Sequence, residues 1–455
     1  MKFLTLVFFV STALLLLNNC DSTNPKLEPD LLLKLEDVSC TEAWLQLTTN
    51  NIQLPAIVNL KQSNPAGDTK SHIFNLNTKD SLFYIDSLLP NQTYKLQVSN
   101  IQNQVSSNEL SITTLDTTSH NFTWQTFEFG QHSSSVLYDV AIIDENNIWA
   151  VGEIYMNDSL GQPIRYNAVH WDGQSWELKR IMFFTICGQQ SRTPYPAKAI
   201  FAFNENEIWI AMDGDQIVKL ENGIQVNTIC LPWSFSINKM WGNRSNDVFV
   251  VGSAGNIAHY QNGSWTKIES RTTLALLDIY GNTNNQIYTC GGNYSTGQGV
   301  ICKININNTV TKVIDSYYFG NGFDSTKMFT ENLYGPINSF WIDNNDKAIA
   351  VGHLIYRYKK GTWDYQSGIE YNYLSAGSFT GRGYLYNVRG VEINDFFFVG
   401  QRNTIRHFNG INALQLGEPF SYTSEYSWIA VDYKNNLAVT VGRKGGQAAV
   451  NIFKR

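Results

Sequence analysis

The feature that most constrains this 455-residue sequence is a short motif that recurs along its C-terminal part. An apolar run ending in Val-Gly follows Asn or Asp in NNIWAVG, NDVFVVG, DKAIAVG, NDFFFVG and NLAVTVG, which end at positions 152, 252, 352, 400 and 442. Two weaker copies, NEIWIAM and NQIYTCG, end at positions 212 and 291, so that successive copies lie 60, 40, 39, 61, 48 and 42 residues apart. A period near 40 residues with occasional insertions is typical of repeat arrays in which each unit is one small sheet.

The downstream half of each unit repeats as well. HWDGQSWEL, KLENGIQV, HYQNGSWTK, YKKGTWDY and HFNGINAL each place a turn ending in Gly before a new apolar run. Asn-Gly and Asp-Gly supply the positive φ values that two-residue hairpin turns require. Each unit is therefore predicted to form four antiparallel strands, which in residues 237–268 are INKMWG, DVFVVG, NIAHYQ and GSWTKI.

Seven units between about residue 135 and residue 455 predict a seven-bladed β-propeller, with an eighth unit hidden in an insertion as the open alternative. The last unit stops after its third strand, whereas NFTWQTFE at 121–128 is similar to GSWTKIES, a fourth strand. We expect this N-terminal strand to complete the last blade and close the ring, which removes an exposed sheet edge.

These units resemble the repeats of bacterial extracellular propellers, which read W-G-x-S-x-x-D-V-W/F-x-V-G followed by H-Y-x-G-x-x-W. The segments WGNRSNDVFVVG and HYQNGSW match this pattern closely in the third unit and loosely elsewhere. The resemblance implies a fold and no single activity.

Residues 30–117 show six or seven short alternating runs separated by turn residues, which predicts a β-sandwich. The segment LLPNQTYKLQV resembles the Leu-x-Pro-x-x-x-Tyr pattern of fibronectin type III domains at Leu88, Pro90 and Tyr94. That resemblance implies a tyrosine corner at Tyr94 and a spacer or docking role, and Trp44 is expected in the core. The predicted organisation is a leader at 1–20, a linker at 21–29, this domain at 30–117 and the propeller at 121–455.

The first twenty residues combine a charged start, an apolar run of 15 residues and Cys20. The apolar run is too short for a comfortable membrane-spanning helix. The segment resembles a bacterial lipoprotein signal peptide, which implies cleavage before Cys20 and lipid attachment to it. The expected location is the bacterial cell envelope, at the outer membrane or cell surface. Asn18 and Asn19 stand where small residues are usual, and a plain secretory signal is the alternative.

Composition narrows the class of function. The net charge is -6 and no block of Lys and Arg occurs, which argues against a nucleic-acid surface. Aromatic residues at 13% with charged residues at 16% are typical of a well-packed β protein. No Cys-x-x-Cys and no His pair has the spacing of metal ligands, so no metal and no cofactor is expected. We expect a monomer or a part of an envelope complex.

Five cysteines remain after Cys20, so at least one stays unpaired. Two disulfides are candidates, each worth about 2–4 kcal/mol. Cys290 and Cys302 lie in neighbouring strands of the fourth unit, and Cys187 and Cys230 lie in consecutive connections between units.

The repeat accounts for several residues that otherwise suggest catalysis. His170, His259 and His407 occupy one repeat position before the turn, and a catalytic histidine is normally unique. The tryptophans of the repeat are interpreted in the same way, as packing residues. The Gly-rich GGNYSTGQG at 291–299 lacks the spacing of a phosphate-binding loop and is predicted to be a hairpin turn.

Four long insertions, at 154–167, 183–196, 316–335 and 367–384, lie in connections between strands that are expected to emerge on one face of a propeller. Loops on a rigid scaffold commonly carry binding residues, so this face is the predicted ligand-binding surface. Its candidate residues are the aromatic and Arg side chains Tyr317, Tyr318, Phe319, Tyr371, Tyr373, Phe379, Tyr384, Arg192 and Arg382. The alternative is that these insertions pack on themselves as caps.

The function expected from the sequence is a non-catalytic binding or scaffold lipoprotein, with a polysaccharide or a partner protein as ligand. The alternative is a propeller-type glycoside hydrolase or lyase, which needs two carboxylates in one cleft. Asp158, Asp324 and Glu370 lie in the insertions and are its candidates. A purely structural envelope or adhesion component is the third option.

Overall fold

The computed structural model describes residues 30–102, 105–132, 134–315, 335–359, 362–365, 384–419 and 425–455. These residues form strands, turns and one turn of 3-10 helix at Ser253–Gly255, with no α-helix in the described ranges, so the all-β prediction is confirmed. Within the same ranges, no helix has the length and hydrophobicity that a membrane crossing requires. The chain divides into two compact units, one containing the strands between Leu31 and Thr113 and the other mainly residues 114–455.

The first unit contains two antiparallel sheets of orders β1-β2-β5 and β4-β3-β6-β7. Buried and exposed residues alternate along β3 and β6, because successive side chains of a strand point to opposite faces. Trp44 and Tyr94 are both buried. The strands are β1 Leu31–Val38, β2 Ala43–Thr49, β3 Ala56–Ser63, β4 Thr69–Leu76, β5 Asp80–Ile85, β6 Thr93–Asn100 and β7 Leu110–Thr113.

The described part of the second unit contains seven four-stranded antiparallel sheets and one two-stranded sheet. Its first strand, β8 Thr123–Phe129, belongs to the last sheet. Sheet 1 consists of β9 Val136–Asp144, β10 Asn147–Asn157, β11 Pro163–Trp171 and β12 Trp176–Lys179, and is followed by the small hairpin of β13 Phe183–Phe184 and β14 Arg192–Thr193. Sheet 2 consists of β15 Ala197–Asn204, β16 Glu207–Met212, β17 Gln216–Glu221 and β18 Ile224–Cys230.

The remaining sheets repeat this plan. Sheet 3 consists of β19 Ile237–Arg244, β20 Asp247–Gly252, β21 Ile257–Gln261 and β22 Ser264–Ile268, and sheet 4 of β23 Ala275–Gly281, β24 Ile287–Asn293, β25 Gln298–Ile304 and β26 Val310–Asp315. Sheet 5 consists of β27 Ile337–Ile342, β28 Ala348–Gly352, β29 Ile355–Lys359 and β30 Thr362–Tyr365, and sheet 6 of β31 Leu385–Glu392, β32 Asp395–Gly400, β33 Ile405–Phe408 and β34 Ala413–Gln415. Sheet 7 consists of β35 Ser427–Lys434, β36 Leu437–Lys444, β37 Gln447–Lys454 and β8.

The recurring Val-Gly has a steric cause. Gly252 ends β20, and a Cβ added to it would lie 2.0 Å from the carbonyl oxygen of Ser236, just before β19. The equivalent glycines at 152, 291, 352, 400 and 442 would each place a Cβ within 2.4 Å of the corresponding carbonyl. Only glycine allows the second strand to approach the first so closely, which explains why this residue marks the repeat.

Hydrophobic clusters join each sheet to the next. One cluster contains residues of sheets 1 and 2, and the others follow in order to the cluster between sheets 6 and 7. A further cluster joins Val439 and Val450 of sheet 7 to Val140 and Val169 of sheet 1. The first strands also contact one another in succession, and β35 contacts β9. The series of packed sheets therefore returns to its start.

The N-terminal segment closes this series. Strand β8 pairs with β37 over seven residues, from Phe129 opposite Ala448 to Thr123 opposite Lys454. It therefore supplies the fourth strand that the last sequence repeat lacks.

The structure contains one of the two candidate disulfides. Cys187 and Cys230 form a disulfide that ties the β13–β14 hairpin to the end of β18. The expected pairing of Cys290 with Cys302 is wrong, because both are free and buried. Cys302 lies opposite Thr289, one residue from Cys290, so the two side chains project to opposite faces of sheet 4. Cys40 is also free and buried.

Candidate functional site

The candidate site is built from one residue of each first strand. In all seven sheets the pairing of the first and second strands skips the second or third residue of the first strand, which forms a β-bulge. A bulge redirects the side chain that it carries. These seven side chains all line one cavity of about 210 Å³; we call them the bulge ring, namely Tyr138, Lys198, Asn238, Leu277, Asn338, Tyr386 and Ile429.

A second cavity, of about 430 Å³, adjoins the first and shares Tyr138, Lys198, Tyr386 and Ile429 with it. Glu153 and Arg443, from the second strands of sheets 1 and 7, also line it. We call the two together the mouth cavity. It lies where the first strands begin, and the insertion at 183–196 leads directly into one of them, β15.

Beneath the bulge ring, the next residues inward hold charges in pairs. The Lys239 ammonium lies 2.5 Å from an Asp139 carboxylate oxygen, and Arg389 donates to both oxygens of Asp278 at 2.8 and 2.9 Å. Burial of Asp278 opposes its ionisation, but the Arg389 charge prevails and lowers the pKa of that carboxyl. Burial raises the pKa of the nearby Asp432.

Tyrosine hydroxyls organise the wall of the mouth cavity on sheet 1. Tyr138 and Tyr155 both donate to the Glu153 carboxylate, at 2.8 and 2.9 Å. Burial, followed by these hydrogen bonds, raises the pKa of both tyrosines. The ammonium of Lys198 lies 4.1 Å from the centre of the Tyr138 ring, a cation–π contact.

Aromatic side chains also line the opposite wall. Tyr386 accepts a hydrogen bond from the Gln401 amide at 2.5 Å, and Tyr294 donates to the side-chain oxygen of Asn338. Tyr384 packs edge-on against Tyr294, with ring centres 4.9 Å apart, and lies 4.5 Å from the ring of His353. Burial lowers the pKa of His353 to about 4, so this ring is neutral at pH 7.

Two residues of the predicted binding face are described, and the structure separates them. Tyr384 contacts Tyr294, which lines the mouth cavity. Arg192 lies instead in the β13–β14 hairpin, where its guanidinium is 4.3 Å from the Phe184 ring and donates to Thr228. The other seven lie outside the described residues, as does Cys20: Tyr317, Tyr318, Phe319, Tyr371, Tyr373, Phe379 and Arg382.

The insertion at 183–196 packs on sheet 2, the sheet that follows it in the chain. The side-chain amide of Gln216 binds both backbone groups of Phe184, and the disulfide fixes the hairpin tip. This arrangement matches a self-contained cap. The insertion at 154–167 extends the β10–β11 hairpin, where Asp158 is half-buried and accepts hydrogen bonds from the backbone of Leu160 and Gln162. Asp324 and Glu370 lie outside the described residues.

The repeated histidines have structural partners. His259 and His407 each bond an Asp at the start of the neighbouring strand, Asp247 and Asp395, at 2.7 Å. His170 has Asn147 at the equivalent place, 3.1 Å away. In the described ranges, no group of three or more His, Cys, Asp or Glu side chains is placed to hold a metal ion.

The sequence interpretation missed the bulge ring. A signal for it exists, because the ring position varies between Tyr, Lys, Asn, Leu and Ile while the residue before it is apolar in all seven copies. Variation at a fixed position of a repeat separates residues that face a ligand from residues that build the scaffold.

The sequence matches no family model and no curated protein. Solved structures with a similar fold include YCF48 bound to D1 peptide, at 12% identity and a TM-score of 0.50, covering 75% of this chain and all of the other. YCF48 from Cyanidioschyzon merolae has 12% identity and a TM-score of 0.47, covering 73% of this chain and 98% of the other. The WD40 β-propeller domain of Doa1 has 12% identity and a TM-score of 0.44, covering 73% and 97%. The first of these likenesses shows the fold: the second unit is a β-propeller.

Proposed function

We propose that this protein is an exported, lipid-anchored binding protein whose seven-bladed propeller presents the mouth cavity to a segment of a partner protein. The observation that carries the proposal is the bulge ring, in which seven first strands turn chemically different side chains into one cavity. Tyrosines with a cation beside them are characteristic of protein-binding surfaces. In this proposal the N-terminal unit is a fibronectin type III-like spacer.

The comparisons favour a peptide over a polysaccharide as ligand. YCF48, which has a similar fold, has a solved structure in which it is bound to D1 peptide. The Tyr138 ring is covered by the Lys198 ammonium, and Tyr294 meets Tyr384 edge-on. These contacts occupy aromatic surface that a sugar ring would otherwise stack on.

The carboxylates at the mouth favour binding over hydrolysis. A glycosidase needs two carboxyl groups free to donate and accept protons at the scissile bond. Asp139 is bound to Lys239, Asp278 to Arg389, and Glu153 to two tyrosine hydroxyls. Each of these carboxylates therefore has a structural partner.

Photo-crosslinking tests the proposed surface. A photoreactive amino acid in place of Tyr386 should cross-link a discrete envelope protein, and excess unlabelled wild-type protein should compete with this reaction. The same probe in place of Trp124, which is exposed on β8, should give no such product. Equal products from both positions, or none at Tyr386, would contradict the proposal.

The anchor is tested separately. Labelled palmitate should be incorporated into the wild-type chain and not into Cys20→Ala. Absence of label from the wild-type chain, or its release into the medium, would favour the plain secretory signal. The contribution of Tyr317, Tyr371 and Tyr373 to the binding face stays a prediction, and their replacement by alanine should weaken partner binding without unfolding the protein.

A further inference from the structure

We infer that the mouth cavity recognises a carboxylate, held between Lys198 and Arg443 and supplied by an acidic peptide segment of the partner. This inference rests on the proposed function and names the chemistry of the ligand.

Three charged side chains line the larger part of the mouth cavity, namely Glu153, Lys198 and Arg443. The Glu153 carboxylate accepts hydrogen bonds from two tyrosines that belong to its own wall. Neither Lys198 nor Arg443 forms an ion pair with any carboxylate of the described residues. The two cations approach from different sheets, β15 of sheet 2 and β36 of sheet 7.

Lys198 is held in place although no carboxylate of the described residues pairs with it. Its side chain is half-buried, and its ammonium rests 4.1 Å from the centre of the Tyr138 ring. Tyr138 is fixed in turn by its hydrogen bond to Glu153. A cation with fixed position and partial desolvation binds an anion better than a mobile surface lysine, because less conformational entropy is lost on binding.

Arg443 supplies the second half of the site. It lines the same part of the mouth cavity as Lys198, Tyr138 and Tyr386. A guanidinium can bind both oxygens of a carboxylate, whereas an ammonium acts as a single point charge. Together they favour a planar carboxylate at the centre of the cavity.

Two cations that lie deeper in the propeller have counterions within the protein. Lys239 and Arg389 lie one layer further in, and each is paired with an aspartate. At the mouth, by contrast, neither Lys198 nor Arg443 has such a partner among the described residues, and Glu153 is engaged by two tyrosine hydroxyls. We assign the role of counterion to the ligand, and the cavity of about 430 Å³ has room for a Glu or Asp side chain with its backbone.

The test uses the purified full chain in mild detergent and a rhodamine-labelled decapeptide of alternating Glu and Gly with blocked termini. Fluorescence anisotropy should show binding that weakens as salt rises, and none for the matching Gln-Gly peptide. Lys198→Met and Arg443→Met should each weaken binding about tenfold or more, and the double variant should abolish it. Lys267→Met, an exposed lysine of β22, is the matched control and should bind like the wild type.

Equal binding by the double variant and the wild type would overturn the inference, as would equal binding of the Gln-Gly peptide. A uronic-acid oligosaccharide of the same charge is the third probe. If it binds through Lys198 and Arg443 while the Glu-Gly peptide does not, the peptide source is wrong and the proposed function fails with it. If a partner protein cross-links at Tyr386 but ignores both substitutions, the proposed function stands and the carboxylate inference alone is wrong.

Discussion

Two adjacent groups of charged side chains in the propeller differ in whether each cation has a counterion. In the layer beneath the bulge ring, Arg389 is paired with Asp278 and Lys239 with Asp139. At the mouth cavity, Lys198 and Arg443 form no ion pair with a carboxylate of the described residues. Buried charges without partners are costly, so the inner pairs belong to the folded structure itself. Of the outer cations, Lys198 is only half-buried and Arg443 is exposed, so their charge remains available for a ligand.

The largest expected effect comes from breaking an inner pair. Arg389→Met should lower the free energy of unfolding by about 3–5 kcal/mol, because it leaves the Asp278 carboxylate buried without its counterion. Urea denaturation at pH 7 measures this loss. Adding Asp278→Leu to the same chain should restore much of the stability, since an apolar pair can replace a buried ion pair. If Arg389→Met lowers the free energy of unfolding by less than 1 kcal/mol, the inner ion pair contributes no more to stability than the cations of the mouth cavity.

The next largest effect concerns the Cys187–Cys230 disulfide, a covalent contribution to stability that is independent of the charges. Replacing Cys187 and Cys230 by serine removes a bridge across 43 residues and should cost about 2–4 kcal/mol. Cys302→Ser is a control for loss of a cysteine that forms no disulfide. Thermal unfolding with and without reductant measures the difference. If binding of the acidic peptide is also lost in the double serine variant, the hairpin is part of the binding site and the cap interpretation is wrong.

How far the sequence predicts this structure depends on periodicity. The repeat predicted four strands per unit, because hairpin turns and alternating apolar residues are local signals. It also predicted the closing strand, since the last unit lacks one. The pairing of Cys290 with Cys302 was wrong because disulfide geometry depends on register, and a shift of one residue sends a side chain to the other face.

The mouth cavity was harder to predict because it depends on a β-bulge. In the sequence, Tyr138 and Lys198 read as ordinary alternating positions of two first strands. Each of these residues is skipped in the pairing of its strand with the next strand. This β-bulge turns the side chain toward the cavity where the sheets meet. The long insertions led to the prediction of one binding face, and Arg192 in one of them is engaged in a hairpin of its own.

A smaller effect is the dependence of stability on pH. Asp278 has a lowered pKa in the folded state, so its contribution to stability is complete above about pH 4 and is lost as the pH falls through the folded-state value. In Arg389→Met, burial becomes the dominant influence and should raise that pKa above the unfolded value. The sign then reverses, and this variant should lose stability as the pH rises from 4 to 7. Urea denaturation at several pH values measures the slope; a variant slope equal to that of the wild type would contradict the assigned role of Arg389.

The smallest effect is expected at the mouth. Lys198→Met and Arg443→Met should each change the free energy of unfolding by no more than about 0.5 kcal/mol, because neither substitution strands a buried anion. Each methionine keeps an apolar stem of similar length and removes only the charge. Urea denaturation of both variants beside Arg389→Met provides the comparison within one experiment. A loss of 2 kcal/mol or more for Lys198→Met would mean that its charge stabilises the fold through Tyr138, and the distinction between a structural interior and a ligand-binding mouth would then fail at that residue.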